Sequence, residues 1–90
     1  MEFEWDDAKA AVNRRKHGVS FDEAATVFDD PLVGIFHDEE HSVTEDRWIA
    51  IGISHRGRLI VVSHAYRKGR TRIISARKAT ANEVREYEER

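Results

Sequence analysis

The sequence predicts an α+β fold with two N-terminal helices, a four-stranded, mainly antiparallel sheet and a C-terminal helix. Three observations carry this reading. Helix-start signals, Asp6 and the S/T-x-x-E boxes Ser20–Glu23 and Thr80–Glu83, stand near both ends of the chain. Residues 47–77 are dense in β-branched side chains and broken only by short turn signals. Ninety residues, 40% hydrophobic, suffice for one modest core, so residues 1–90 are expected to form a single domain.

Each element follows in order. Asp6 caps a helix from Asp7 to about His17, and Gly18 supplies the left-handed stop. Ser20 opens a second helix through Phe28 with Ala24, Ala25, Val27 and Phe28 on its apolar side, and Asp29-Asp30-Pro31 ends it. Residues 32–36 read as a short strand and 37–46 as a polar loop. Three strands are expected at 47–54, 59–67 and 70–77, with turns at Arg56-Gly57 and Lys68-Gly69. Thr80 caps a last helix running to about Glu89.

If both turns are two-residue loops, Ile51 pairs with Val62 and Tyr66 with Thr71. One face then gathers Ile49, Ile51, Ile53, Ile60, Val62 and Ile73 against the helices, with Arg47, His64, Tyr66 and Thr71 toward one edge and Arg77 at the far end. The other face gathers Ala50, Gly52, Ser63, Ala65, Ile74 and Ala76, and places Trp48 beside Arg67, Arg70 and Arg72.

The charge is polarised although the net is only −2. Residues 1–46 carry thirteen acids and four Lys or Arg, whereas residues 47–82 carry nine Lys or Arg and no acid. An acid-free stretch in an otherwise acidic chain points to a surface facing an anion, with pairing to the N-terminal acids as the alternative. The absence of cysteine excludes disulfides, thiolate zinc sites and thiol nucleophiles. The acidic start has no long apolar stretch and predicts no signal peptide, and no segment is long enough for a membrane span, so a cytoplasmic location is expected.

Among candidate site residues, Arg67, Lys68, Arg70 and Arg72 with Trp48 combine cations for phosphate with an indole for a base. Lys68 and Arg70 read more readily as a solvated hairpin tip. Arg77 suits a phosphate or an acid of the C-terminal helix. Lys9, Asn13, Lys16 and His17 share one helical face, which lines a site or is simply polar. His64 stands mid-strand, as a core histidine or a ligand-facing one. His37-Asp38-Glu39-Glu40-His41 departs from H-E-x-x-H and sits in a loop, so no metal and no cofactor is expected. No P-loop, G-x-G-x-x-G or G-x-S-x-G is present.

Taken in order, Phe3-Glu4-Trp5-Asp6, Lys9, Asn13, Lys16-His17-Gly18-Val19, Phe21, Val27-Phe28-Asp29-Asp30-Pro31, Arg47-Trp48, Ile51-Gly52, Arg72-Ile73-Ile74-Ser75-Ala76-Arg77, Glu83 and Tyr87 resemble the BrnT toxin family. The resemblance spans nearly the whole chain. It implies a RelE-like fold, a ribonuclease of a type II toxin–antitoxin module, and a BrnA-like ribbon-helix-helix antitoxin that links the pair to operator DNA. It gives weight to Lys16, His17, Arg47, Arg72 and Arg77 as catalytic candidates, with Trp48, His64, Arg67 and Arg70 toward RNA. The slightly negative net charge departs from the basic character common in small ribonuclease toxins.

RNA cleavage without a metal uses the 2′-hydroxyl as nucleophile. It needs a base, cations on the phosphorane-like state and an acid for the leaving 5′-oxygen. His17 or His64 suits the proton transfers, and Lys16, Arg47, Arg72 and Arg77 suit the charge. The competing functions are a non-catalytic binding module and a degenerate toxin kept as corepressor. An antitoxin segment is expected over the small-residue sheet face, burying Trp48 and pairing with Arg67 and Arg72.

Overall fold

The computed structural model describes residues 1–89. Strand β1 (Phe3–Glu4) leads into helix α1 (Asp7–His17) and helix α2 (Phe21–Thr26), which continues as a 3₁₀ turn at Val27–Asp29. Strand β2 (Gly34–His37) is followed by a 3₁₀ turn at Glu39–His41. The meander is β3 (Trp48–Ile53), β4 (Leu59–Arg67) and β5 (Arg70–Lys78), and helix α3 (Ala81–Glu88) closes the chain. The sheet has five strands in the order β1-β5-β4-β3-β2. All pairs are antiparallel except β1 with β5.

The expected caps form. Asp6 accepts from the Lys9 amide, Gly18 takes φ +70°, and Thr80 with Glu83 completes a reciprocal capping box. Ser20 accepts from the Glu23 amide, but the Glu23 carboxylate turns away to Ser54 and Arg58 instead of closing that box. The fifth strand, β1, is only two residues long and carries no local signal. Its place is set by Thr71 N–H donating to the Glu2 carbonyl at 2.8 Å and by Phe3 packing on Phe28.

Two features correct the expected faces. The β3–β4 connection is not a two-residue loop. Ile53 pairs with Leu59, and Ser54–Arg58 form a five-residue turn in which Ser54 N–H donates to the Arg58 carbonyl at 2.8 Å. Ala50 therefore pairs with Val62 and Gly52 with Ile60, one residue off the expected register. A shift of one residue moves every β3 side chain to the other face. Ala50 and Gly52, not Ile49, Ile51 and Ile53, face the helices; Trp48 joins them and leaves the arginine cluster, while Arg47 shares the side of Ile49 in the cleft described below. Gly52 fits closely there: a Cβ would come within 3.1 Å of Val27 Cγ1 and Asp30 Oδ2 and 3.2 Å of the Val27 carbonyl oxygen, so those neighbours would have to give way.

The second feature is a bulge. Tyr66 pairs with Thr71 as expected, but Ser63 pairs with Ser75 while His64 pairs with Ile73, so Ile74 is an extra residue on β5. Beyond it the parity reverses. Ala76 turns into the core and Arg77 onto the open face beside Val61. The core of Val19, Phe21, Ala24, Val27, Ala50, Ile60, Val62, Ile73 and Ala76 thus lies between the sheet and helices α1 and α2. Of the small residues expected to receive a partner helix, Ala50, Gly52 and Ala76 are covered by the protein's own helices, while Ser63 stays on the open face.

Two buried polar clusters fix this arrangement. Asn13 of α1 donates to the carbonyls of Val19 and Ala76 at 3.0 and 2.9 Å and accepts from the Ala76 amide at 3.1 Å. One side chain thereby serves both backbone groups of Ala76 just after the bulge. Glu23, 6% exposed, binds Ser54 Oγ at 2.7 Å and the Arg58 guanidinium through both carboxylate oxygens, while Arg58 also donates to the Gly18 carbonyl at 3.0 Å. The Arg58 bond, the largest influence, holds the Glu23 carboxyl below its ordinary range.

Stability should fall in two steps on acidification. His64 is fully buried, and burial lowers its pKa from the ordinary 6.5. Below 6.5 the unfolded chain binds a proton that the folded chain resists, so stability rises with pH there and is lost as pH drops toward the folded pKa. Glu83, hydrogen-bonded by Arg77, drops from 4.5 to about 2, so its contribution is present above 4.5 and lost between 4.5 and 2. Denaturation midpoints measured from pH 8 to 3 should decline in both windows. In His64→Gln the decline near pH 6 should vanish while the lower one remains.

Candidate active site

The face of the sheet opposite α1 and α2 carries a cleft of about 310 Å³. Its floor is Ile49, Val61, Ser63, Ile74 and Ser75, and its walls are His17, Asp38, His41, Arg47 and Arg77. Each wall residue arrives by a specific local cause. His17 is the last residue of α1, released by the left-handed Gly18. Arg77 reaches this face because of the bulge at Ile74, which Asn13 secures. Glu83 grips Arg77 with two hydrogen bonds of 2.8 and 3.0 Å and thereby aims its guanidinium.

Asp38, His41 and Arg47 belong to the connection between β2 and β3, which Ser42 cross-braces. Its hydroxyl donates to the Asp38 carbonyl at 2.5 Å and accepts from the Arg47 amide at 2.8 Å, and the Asp38 amide donates to the Arg47 carbonyl at 2.9 Å. His41 Nδ1 lies 2.9 Å from Asp38 Oδ2. His37 pairs separately with Asp46 at 3.1 Å, so the two histidines of the H-D-E-E-H run do not converge. Among the described residues no three His, Asp or Glu side chains form a metal-holding group.

Of the residues singled out from sequence, His17, Arg47 and Arg77 meet in this cleft. Lys16 lies beside it, where a second depression lined by Lys9, Lys16, His17, Ile74 and Ser75 runs along α1. The others lie elsewhere. His64 sits inside the core against Phe28 and Tyr66, its Nε2 at 3.2 Å from the Tyr66 hydroxyl. Trp48 packs edge-on to His37 and near Tyr66. Arg67 donates twice to Glu45, at 2.9 and 2.7 Å; Arg72 donates to Glu4 at 3.0 Å; Arg70 lies 3.7 Å from Glu2.

The acid-free stretch is therefore largely neutralised by acids from other parts of the chain, as the pairing alternative has it. The cations with no ion pair among the described residues include Lys9, Arg14, Arg15 and Lys16 of α1 and Lys68 at the hairpin tip. Sequence reading missed Asp38 and His41 as site residues. Their signal was the run weighed only for metal binding, in which Asp and His stand three apart.

The chain matches the family described as ribonuclease toxin, BrnT, of type II toxin-antitoxin system over residues 5–83. A similar solved structure is that of the Brucella abortus ribonuclease toxin BrnT, at 1.1 Å resolution. It is 24% identical, with a TM-score of 0.69 over 89% of this chain and 97% of that one. At that identity it shows a shared fold. No curated protein matches the sequence.

Proposed function

Because the chain belongs to the BrnT family of ribonuclease toxins of type II toxin–antitoxin systems, we propose that it is an endoribonuclease that cleaves RNA in the cleft of His17, Arg47 and Arg77 without a metal ion. The observation that carries this is the meeting of an imidazole and two guanidinium groups over a floor that includes Ser63 and Ser75. Lys9 and Lys16, which hold no ion pair among the described residues, extend the cleft into a track along α1 for the RNA backbone. A phosphodiester lying across Ser63 and Ser75 brings its non-bridging oxygens to Arg47 and Arg77. The 2′-oxygen then attacks phosphorus, the bond to the 5′-oxygen breaks, and the products are a 2′,3′-cyclic phosphate and a free 5′-hydroxyl.

The same family membership implies a cognate antitoxin. We take it to be a BrnA-like ribbon-helix-helix protein, through which the complex reaches operator DNA, in the cytoplasm. No helix among the described residues is long and apolar enough to cross a membrane. An antitoxin seated on Trp48, Arg67 and Arg72 is disfavoured, since those arginines already hold acids. The non-catalytic readings, a binding module or a corepressor, find no specific support in a cleft that gathers proton-transfer and charge-stabilising groups.

Purified protein should cleave RNA in excess EDTA and leave 2′,3′-cyclic phosphate ends, read by mass spectrometry. Activity abolished by EDTA and restored by a divalent ion refutes the metal-free reading. Absence of cleavage with or without metal, together with no loss of RNA on induction in cells, favours the corepressor.

A further inference from the structure

We propose that Asp38 and His41 form the proton-transfer pair of the cleft, with His41 as the catalytic base toward the RNA 2′-hydroxyl and Asp38 as the residue that positions it. The inference rests on the ribonuclease reading and assigns within it two residues outside the family resemblance.

Three observations support the pair. First, Asp38 Oδ2 stands 2.9 Å from His41 Nδ1, and the Asp38 side chain is only 15% exposed against 64% for His41. A largely covered carboxylate therefore holds an accessible imidazole by one nitrogen. With Nδ1–H donating to Asp38, the lone pair remains on Nε2, the nitrogen with no protein partner among the described residues. Second, both residues line the same cleft as His17, Arg47 and Arg77. Third, the segment is braced. The Ser42 hydroxyl ties the Asp38 carbonyl to the Arg47 amide, which couples the backbone of the pair to that of Arg47.

His41 Nε2 takes the 2′-hydroxyl proton as the O2′–P bond forms, and the resulting imidazolium is stabilised by the Asp38 carboxylate. The P–O5′ bond breaks, and the 5′-oxygen is protonated from the other wall of the cleft, where His17 is the imidazole available. The ionisable groups that line the cleft with the pair are Arg47, Arg77 and His17. His37 and Asp46 satisfy each other and take no part.

The test uses the full chain, a fluorogenic single-stranded RNA oligonucleotide in EDTA, and its 2′-O-methyl analogue as a non-cleavable binding probe. His41→Ala should cut cleavage about 10²-fold, in the range of a lost general base, with the melting temperature and the affinity for the analogue unchanged. Asp38→Asn should lower kcat while leaving the affinity for the analogue unchanged, and Asp38→Glu should recover part of that loss. A purely structural Asp38 would lower the melting temperature and the affinity together, with no recovery of kcat in Asp38→Glu. Lys68→Ala, at the exposed hairpin tip, should cleave as the parent does. Equal cleavage by His41→Ala and the parent overturns the pair and leaves the ribonuclease reading standing. A parent that does not cleave overturns both.

Discussion

Arg47→Ala should lower RNA cleavage by about 10²- to 10³-fold, the effect of removing a preorganised donor to transition-state charge. The expectation follows from how the arginines are engaged. The acid nearest Arg47 is Glu45, at 3.9 Å, and that carboxylate is already held at 2.7 and 2.9 Å by Arg67. The Arg47 guanidinium thus keeps N–H donors for a phosphate, and its backbone is fixed on both sides by Asp38 and Ser42. Arg77 shares the cleft but spends two donors on Glu83, so Arg77→Ala should cost less. Arg72 is bonded to Glu4 and does not line the cleft, and Arg72→Ala should change cleavage by no more than a few-fold. Initial rates on the same oligonucleotide, with a melting curve for each variant, check the order. Equal losses at positions 47 and 72 would mean that the arginines supply only diffuse attraction.

Glu23→Ala should be the most damaging single change to stability, costing about 3 to 5 kcal/mol, the usual result of breaking a buried ion pair from one side. Glu23 is held by Ser54, Arg58 and the nearby Arg56, and its removal leaves the Arg58 guanidinium over the Gly18 carbonyl without a counter-charge. It also frees the five-residue turn that sets the register of β3. For a domain of 90 residues, a loss of that size takes most of the folding free energy. Urea denaturation followed by Trp fluorescence should place the midpoint far below the parent's, with little folded protein near 37 °C. Glu45→Ala, which breaks the solvent-open pair with Arg67, should shift it only slightly. A Glu23→Ala midpoint close to the parent's would show that the cluster is dispensable.

The cleft and the Glu23 cluster draw on different levels of structure. The helices were legible because their signals are local. Asp6, Gly18, Ser20 and Thr80 act within three or four residues of their own backbone. The Lys68-Gly69 turn was legible for the same reason, both residues taking positive φ in a two-residue loop. The motif residues along the chain likewise carried the family resemblance, and with it His17, Arg47 and Arg77.

The faces of β3 and of the end of β5 were decided by tertiary structure alone. A strand's facing depends on a one-residue difference in turn length or on one bulge, and here both are fixed from far away. Glu23 holds Ser54 and Arg58 from 31 and 35 residues earlier in the chain, and Asn13 secures the bulge from 63 residues away. The partners of the arginines were hidden for the same reason, Glu4 meeting Arg72 across 68 residues. By itself the sequence supplied the candidate cations and imidazoles, though not the Asp38–His41 pairing. Which of them keep free donors and face one cleft depended on long-range hydrogen bonds, whose free energy comes from desolvated partners that no local pattern places together.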